Sequence, residues 1–136
     1  MALNYTRIIG LRQFQRVMPF VFFAGLALTT VLLLIPSYKI PKAFDFYDKA
    51  QHVLVFVTLT VAGLLAFPNF AKHGKTLVVG LMCYGGLMEV LQSALTTTRH
   101  GEWLDWLTDG VGILVGVGAY LASQKFVKFT MNKIAT

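Results

Sequence analysis

One cysteine, four prolines and six carboxylates are all that this chain of 136 residues carries of each, and every shortage excludes something. A lone Cys83 leaves no disulfide framework and no cysteine-rich metal motif, so the redox compartment is not written in the sequence. Charged residues make up 13% of the chain, against about a quarter in a soluble average, which excludes an ordinary water-facing domain. No HExxH, glycine-rich phosphate loop, nucleotide fingerprint or Ser-His-Asp order occurs. Repeats, low-complexity runs and linkers are missing too, so the chain is one domain at most.

What fills the chain is apolar: 56% of it is hydrophobic. Val17–Ile35 runs nineteen residues without a charge, long enough to cross a hydrocarbon core of about 30 Å at about 1.5 Å per residue. It exceeds the apolar core of a signal peptide and lacks a small-residue cleavage site, so it reads as a retained span. Ala50–Phe67, Thr76–Leu95 and Trp103–Ala122 follow. The expectation is an all-α polytopic bundle of four transmembrane helices. Residues 1–16 form a cytoplasmic or interfacial segment, 17–122 the membrane domain and 123–136 a basic cytoplasmic tail. Ile8, Ile9 and Leu11 beside Arg7 and Arg12 suggest an interfacial helix. Phe70–Lys75, with Gly74 and the preceding Pro68, reads as a compact turn. Pro36 and Pro41 bracket the exit from the first span, and Phe44, Phe46, Tyr47, Trp103 and Trp106 suit an aromatic belt at the interface.

A net charge of +6 raises nucleic acid as a partner, but its distribution argues for topology instead. Arg7, Arg12, Arg16, Lys72, Lys75, Lys125, Lys128 and Lys133 lie in three regions free of acid. Lys39, Lys42, Lys49 and Arg99 share their two loops with carboxylates. The positive-inside rule then places both termini in the cytoplasm and the Tyr38–Lys49 and Thr96–Glu102 loops outside. The implied location is the cytoplasmic membrane, crossed several times, with membrane lipids as partners and no nucleic acid.

With directions assigned, the polar residues fall at one depth. Asp48 stands at the mouth of the second span and His52 one turn deeper on the same face. Glu89 and Gln92 share a face in the outer half of the third, and Asp105 and Asp109 enter the fourth. Lys49 and Arg99 flank them. Ionisable groups in lipid-length segments cost about 2.5–3.5 kcal/mol each at the bilayer centre, so they face protein or water and mark a site. Continuing the Asp105/Asp109 stripe gives Gly112 and Gly116, a GxxxG track for close helix packing, with Gly85, Gly86 and Gly63 in the lower bundle.

Asp48-Lys49-x-x-His52, Glu89-x-x-Gln92, Arg99 and Asp105-x-x-x-Asp109-x-x-Gly112 together resemble the VanZ-like family, named for a teicoplanin-resistance protein. The resemblance covers roughly residues 45–120. It implies an envelope protein linked to glycopeptide resistance, and it carries fold and location further than it carries a reaction. Asp109 stands where that pattern usually has Asn, which adds a negative charge to the site.

Each residue also has a structural reading. Asp48 and Asp105 can cap their helices. Lys49 can snorkel to the interface, and Gln92 can bridge helices. Arg99 can pair with Glu89 or Asp105, or grip phosphate through its planar fork. His73 and His100 read as loop residues. His52, Glu89 and Asp109 are the candidate catalytic groups; Asp48, Lys49, Gln92, Arg99 and Asp105 are the candidate substrate-binding groups. Four carboxylates against two cations leave two negatives, to be resolved by protonated His52, by a carboxyl kept neutral through desolvation, or by a divalent metal as cofactor.

Two function classes follow. One is an envelope factor that binds or alters a cell-surface lipid or drug. The other is an outer-leaflet hydrolase or transferase acting on a phosphate-bearing lipid head group, with His52, Glu89 or Asp109 in acid/base or metal roles. Ion translocation would want ionisable groups along the whole depth, and the inner halves of the spans are apolar. On the topological reading, a cysteine placed at Lys133 reacts with an impermeant thiol reagent only after spheroplasts are opened. Labelling of intact spheroplasts would overturn it.

Overall fold

The computed structural model describes residues 2–35, 45–95 and 102–135, with side chains from 13–35, 49–95 and 102–133. Four helices make up nearly all of it: α1 (Ala2–Leu34), α2 (Asp45–Ala66), α3 (Phe70–Leu95) and α4 (Trp103–Ala135). No strand occurs among the described residues. All four helices are long and apolar enough to cross a membrane. Large apolar side chains such as Phe20, Leu54, Val90, Leu114 and Phe126 point away from the bundle, as lipid solvation permits and water does not. The chain is a polytopic helical membrane protein.

The central helix is α2. It packs most extensively on α4 and also touches α1 and α3, while α1 and α4 make no contact with each other among the described residues. Phe56, buried completely, lies in the core with Phe22 of α1, Leu59 of α2, Leu81 of α3 and Ile113 of α4. Backbone approach between α2 and α4 depends on two glycines. A Cβ on Gly112 would sit 2.6 Å from the Val53 carbonyl oxygen and 2.9 Å from Phe56 Cβ. One on Gly116 would meet Thr60 Cβ at 2.7 Å and the Val57 carbonyl oxygen at 3.0 Å. The expected GxxxG track is therefore the contact surface between these helices.

Element boundaries correct the expectation in three places. Phe70–Lys75 is helical, because Asn69 caps α3: its Oδ1 accepts from the Lys72 N–H at 3.1 Å, and its carbonyl accepts from the His73 N–H at 2.8 Å. The turn shrinks to Phe67–Asn69, and His73 becomes a helical residue with its ring 6.2 Å from that of Phe67. At the other end of the chain, the segment expected as a tail continues α4 to Ala135. Tyr120 donates to the Pro68 carbonyl at 3.4 Å, which marks the level of the α2–α3 turn. Everything described from Leu121 to Lys133 is exposed, so the basic stretch leaves the bundle as helix. The N-terminal segment is not a separate helix either; α1 is continuous from Ala2 and runs through Pro19. The loop proline and aromatic assignments at residues 36–44, and the side chains of Phe46 and Tyr47, lie outside what is described.

Gly112→Ala should force α4 away from α2, because the obstacle is backbone, and lower stability by about 1–3 kcal/mol. Gly118, with nothing within 4 Å of its added Cβ, is the control: Gly118→Ala should melt no earlier than the parent in detergent. Equal melting of the two variants would refute the packing assignment.

Candidate functional site

The short α2–α3 turn makes α3 antiparallel to α2, so the C-terminal half of α3 faces the start of α2. The first turns of α4 arrive at the same end. There one side chain from each of three helices meets in the core. His52 of α2 (5% exposed), Glu89 of α3 (9%) and Asp109 of α4 (1%) place ligand-type atoms within 4.8 Å of one another. His52 Nδ1 and Asp109 Oδ1 are 2.9 Å apart in a hydrogen bond. An ionised Asp109 can only accept, so His52 then donates through its Nδ1–H.

Gly85 makes room for this pair. A Cβ there would lie 2.6 Å from Asp109 Oδ2 and 3.3 Å from Phe56 Cζ. Glu89 is held by one oxygen only: Oε2 accepts from the Glu102 backbone N–H at 2.9 Å, which ties the start of α4 to α3. Its Oε1 is buried with no hydrogen-bond partner among the described residues. A buried acceptor left unmade costs about 1–3 kcal/mol, more when charged, so Oε1 is the anomalous atom of the bundle.

Above this layer lies a rim. Lys49 Nζ donates to Asp105 Oδ1 at 3.0 Å and to Glu102 Oε2 at 3.3 Å. Asp105 is therefore a partner of Lys49, and it also sits in the first turn of α4, where a carboxylate meets the helix dipole favourably. Gln92 is buried, and its Nε2 donates to the Leu33 carbonyl at 2.9 Å, which joins α3 to α1 as interhelical glue. Arg99 and His100 lie outside the described residues, as does the side chain of Asp48, although the Asp48 backbone is in the first turn of α2.

Beside the cluster, α3 and α4 form an open cleft of about 570 Å³ lined by Gly86, Glu89, Val90, Ser93, Trp103 and Trp106. Glu89 thus belongs to both the buried cluster and the cleft wall. Trp106 Nε1 donates to the Met82 carbonyl at 2.9 Å, so one wall is fixed while Trp103 is largely exposed. The cleft, the role of Gly85 and the double function of Glu102 escaped the sequence reading. The position of Glu102 immediately before Trp103 is the signal in the sequence for this helix start.

Protein-family models, curated proteins and solved structures were each compared with the chain, and nothing matches. The class rests on the fold and site themselves: a four-helix membrane protein with a buried imidazole–carboxylate cluster at one end of the bundle.

The two layers should respond differently to truncation. Asp109→Ala leaves His52 buried without its partner and should lower stability by about 3 kcal/mol or more. Lys49→Ala removes a half-exposed pair and should cost less than about 1 kcal/mol. Unfolding of both variants in the same detergent measures the contrast; comparable losses would mean the deep pair contributes no more than the rim.

Proposed function

We propose that this chain is a VanZ-like envelope protein of the cytoplasmic membrane. In this reading both termini are cytoplasmic, and the cluster lies in the outer leaflet, where it takes a lipid, or a lipid-associated drug of the glycopeptide kind, and binds or alters it. The observation that carries the reading is the double membership of Glu89. A carboxylate belonging to the buried cluster also lines a cleft with apolar walls and two tryptophans. Amphiphiles have the matching form, with a polar head for Glu89 and an apolar body for the cleft and the exposed rings around it.

The specific alternative is an outer-leaflet hydrolase or transferase acting on a phosphate-bearing head group. It is favoured by the pair His52–Asp109, buried and 2.9 Å apart. A carboxylate that orients an imidazole is a general acid/base arrangement. Arg99, from its place in the sequence, is the head-group clamp of that reading.

Lipid extracts decide between them. Cells producing the protein are compared with cells lacking it and with cells producing Glu89→Gln at equal level. Under the enzyme reading one lipid species changes with the wild type, and its conversion drops by about a hundredfold or more in the variant. Under the binding reading lipids stay constant, while glycopeptide binding to the cell surface changes and the variant shows a partial, severalfold loss. Unchanged lipids together with unchanged glycopeptide binding would remove the proposal in both forms.

A further inference from the structure

We infer that His52, Glu89 and Asp109 form a binding site for one divalent transition-metal ion, with each of three helices supplying a ligand. The inference rests on the same cluster as the proposed function, but its chemistry requires neither a lipid nor a drug. Three observations support it. The first is the donor set. One imidazole and two carboxylates, all buried, offer atoms within 4.8 Å of one another. Mixed nitrogen and oxygen donors suit manganese(II), iron(II) or zinc, whereas magnesium and calcium prefer oxygen alone.

The second is spacing. Two ligands bound at about 2.1 Å and at right angles lie about 3.0 Å apart. His52 Nδ1 and Asp109 Oδ1 are separated by 2.9 Å, so a cation can take the place of the proton they share without moving either helix. A third ligand opposite one of the two lies about 4.2 Å from it and about 3.0 Å from the other, so Glu89, within 4.8 Å of both, must close by at most about 1.8 Å.

The third is the orphaned atom. Glu89 Oε1 is buried and has no partner among the described residues, although its twin Oε2 is tied to the Glu102 N–H. It belongs to a carboxylate that reaches the other two groups, and a metal–oxygen bond would satisfy it. Charge balance among the described residues points the same way. Lys49 is engaged with Asp105 and Glu102 at the rim, so it does not neutralise the deeper pair. A dication balances Glu89 and Asp109 with His52 neutral, where a protonated His52 balances only one of them. A metal bound here is adjacent to the cleft and would present a Lewis acid to a phosphate or carbonyl oxygen lodged in it.

The test uses the full chain in detergent, freed of any affinity tag, stripped with chelator and titrated with Mn²⁺ in excess magnesium. Electron paramagnetic resonance should show one ion per chain, with a nitrogen coupling from a bound imidazole. His52→Gln should abolish that coupling, and Glu89→Gln and Asp109→Asn should each weaken binding by at least about tenfold, the lower end of what even indirect ligand partners cost. Mn²⁺ should also raise the melting temperature of the wild type, since it binds only the folded cluster, and should raise that of Asp109→Asn less at the same concentration. Absence of saturable binding, a spectrum without nitrogen coupling, or variants that bind as the wild type does would overturn the inference. A variant that fails to fold leaves the wild-type coupling and melting shift to decide it. Metal binding without any lipid or glycopeptide effect would retain this site and discard the proposed function; the reverse pattern would do the opposite.

Discussion

Gly112 and Gly116 let the backbone of α4 lie against Val53 and Val57 of α2, and the rest of the polar architecture depends on that approach. Asp109 is one turn before Gly112 on α4, as His52 is one residue before Val53 on α2. The contact that removes two Cβ atoms from the helix interface therefore sets how close the imidazole and carboxylate come. Aqueous burial cannot drive such packing in a lipid solvent. Close van der Waals contact and interhelical hydrogen bonds have to, and this bundle uses both at the same interface. The glycines bring the backbones together, and the His52–Asp109 bond then locks their rotation and register.

The same constraint explains why the polar groups form tiers. Near the ends of α2 and α4, Lys49 reaches Asp105 and Glu102 and remains half-exposed, a pair of the kind whose net worth is small because water competes for it. One turn deeper the carboxylate of Asp109 is almost fully enclosed, and each unmet hydrogen bond has no solvent to fall back on. Just below the cluster lie neutral polar contacts, such as Tyr84 to Thr30 at 2.9 Å and to the Leu26 carbonyl at 3.1 Å. The described carboxylates gather at this end of the bundle, whereas Lys72 and Lys75 stand at the start of α3, at the other.

Much of this was legible in the chain because membranes impose two simple rules. Apolar length determined the four spans, and reading direction then turned sequence spacing into depth, which is why His52, Glu89 and Asp109 could be expected at one level. Contacts at helix ends were not legible in the same way. The cap at Asn69 starts α3 six residues ahead of the expected span at Thr76, since capping depends on one side chain rather than on hydropathy. Gln92 and Glu89 share a face by spacing, yet one reaches toward α1 and the other toward the start of α4. A helix of this width touches more than one neighbour, and no periodicity distinguishes them. Glu102 was hidden for a related reason: its contribution to Glu89 comes from its backbone N–H, which every residue type but proline possesses.

The charge of the residue at position 109 carries particular weight. An asparagine there would hold a histidine equally well by geometry, since its amide carbonyl accepts from the same Nδ1–H. What the aspartate adds is charge, placed where only 1% of the residue is exposed and next to a second carboxylate, one oxygen of which has no partner among the described residues. A merely structural bridge between α2 and α4 would have no use for it, because the neutral amide avoids the cost of burying an ion. Two carboxylates facing one imidazole are electrostatically unfavourable by themselves, and they become favourable when a positive species occupies the space between them. The charge at Asp109 therefore argues that the cluster is organised around something it binds, and the cleft beside Glu89 gives that something a way in.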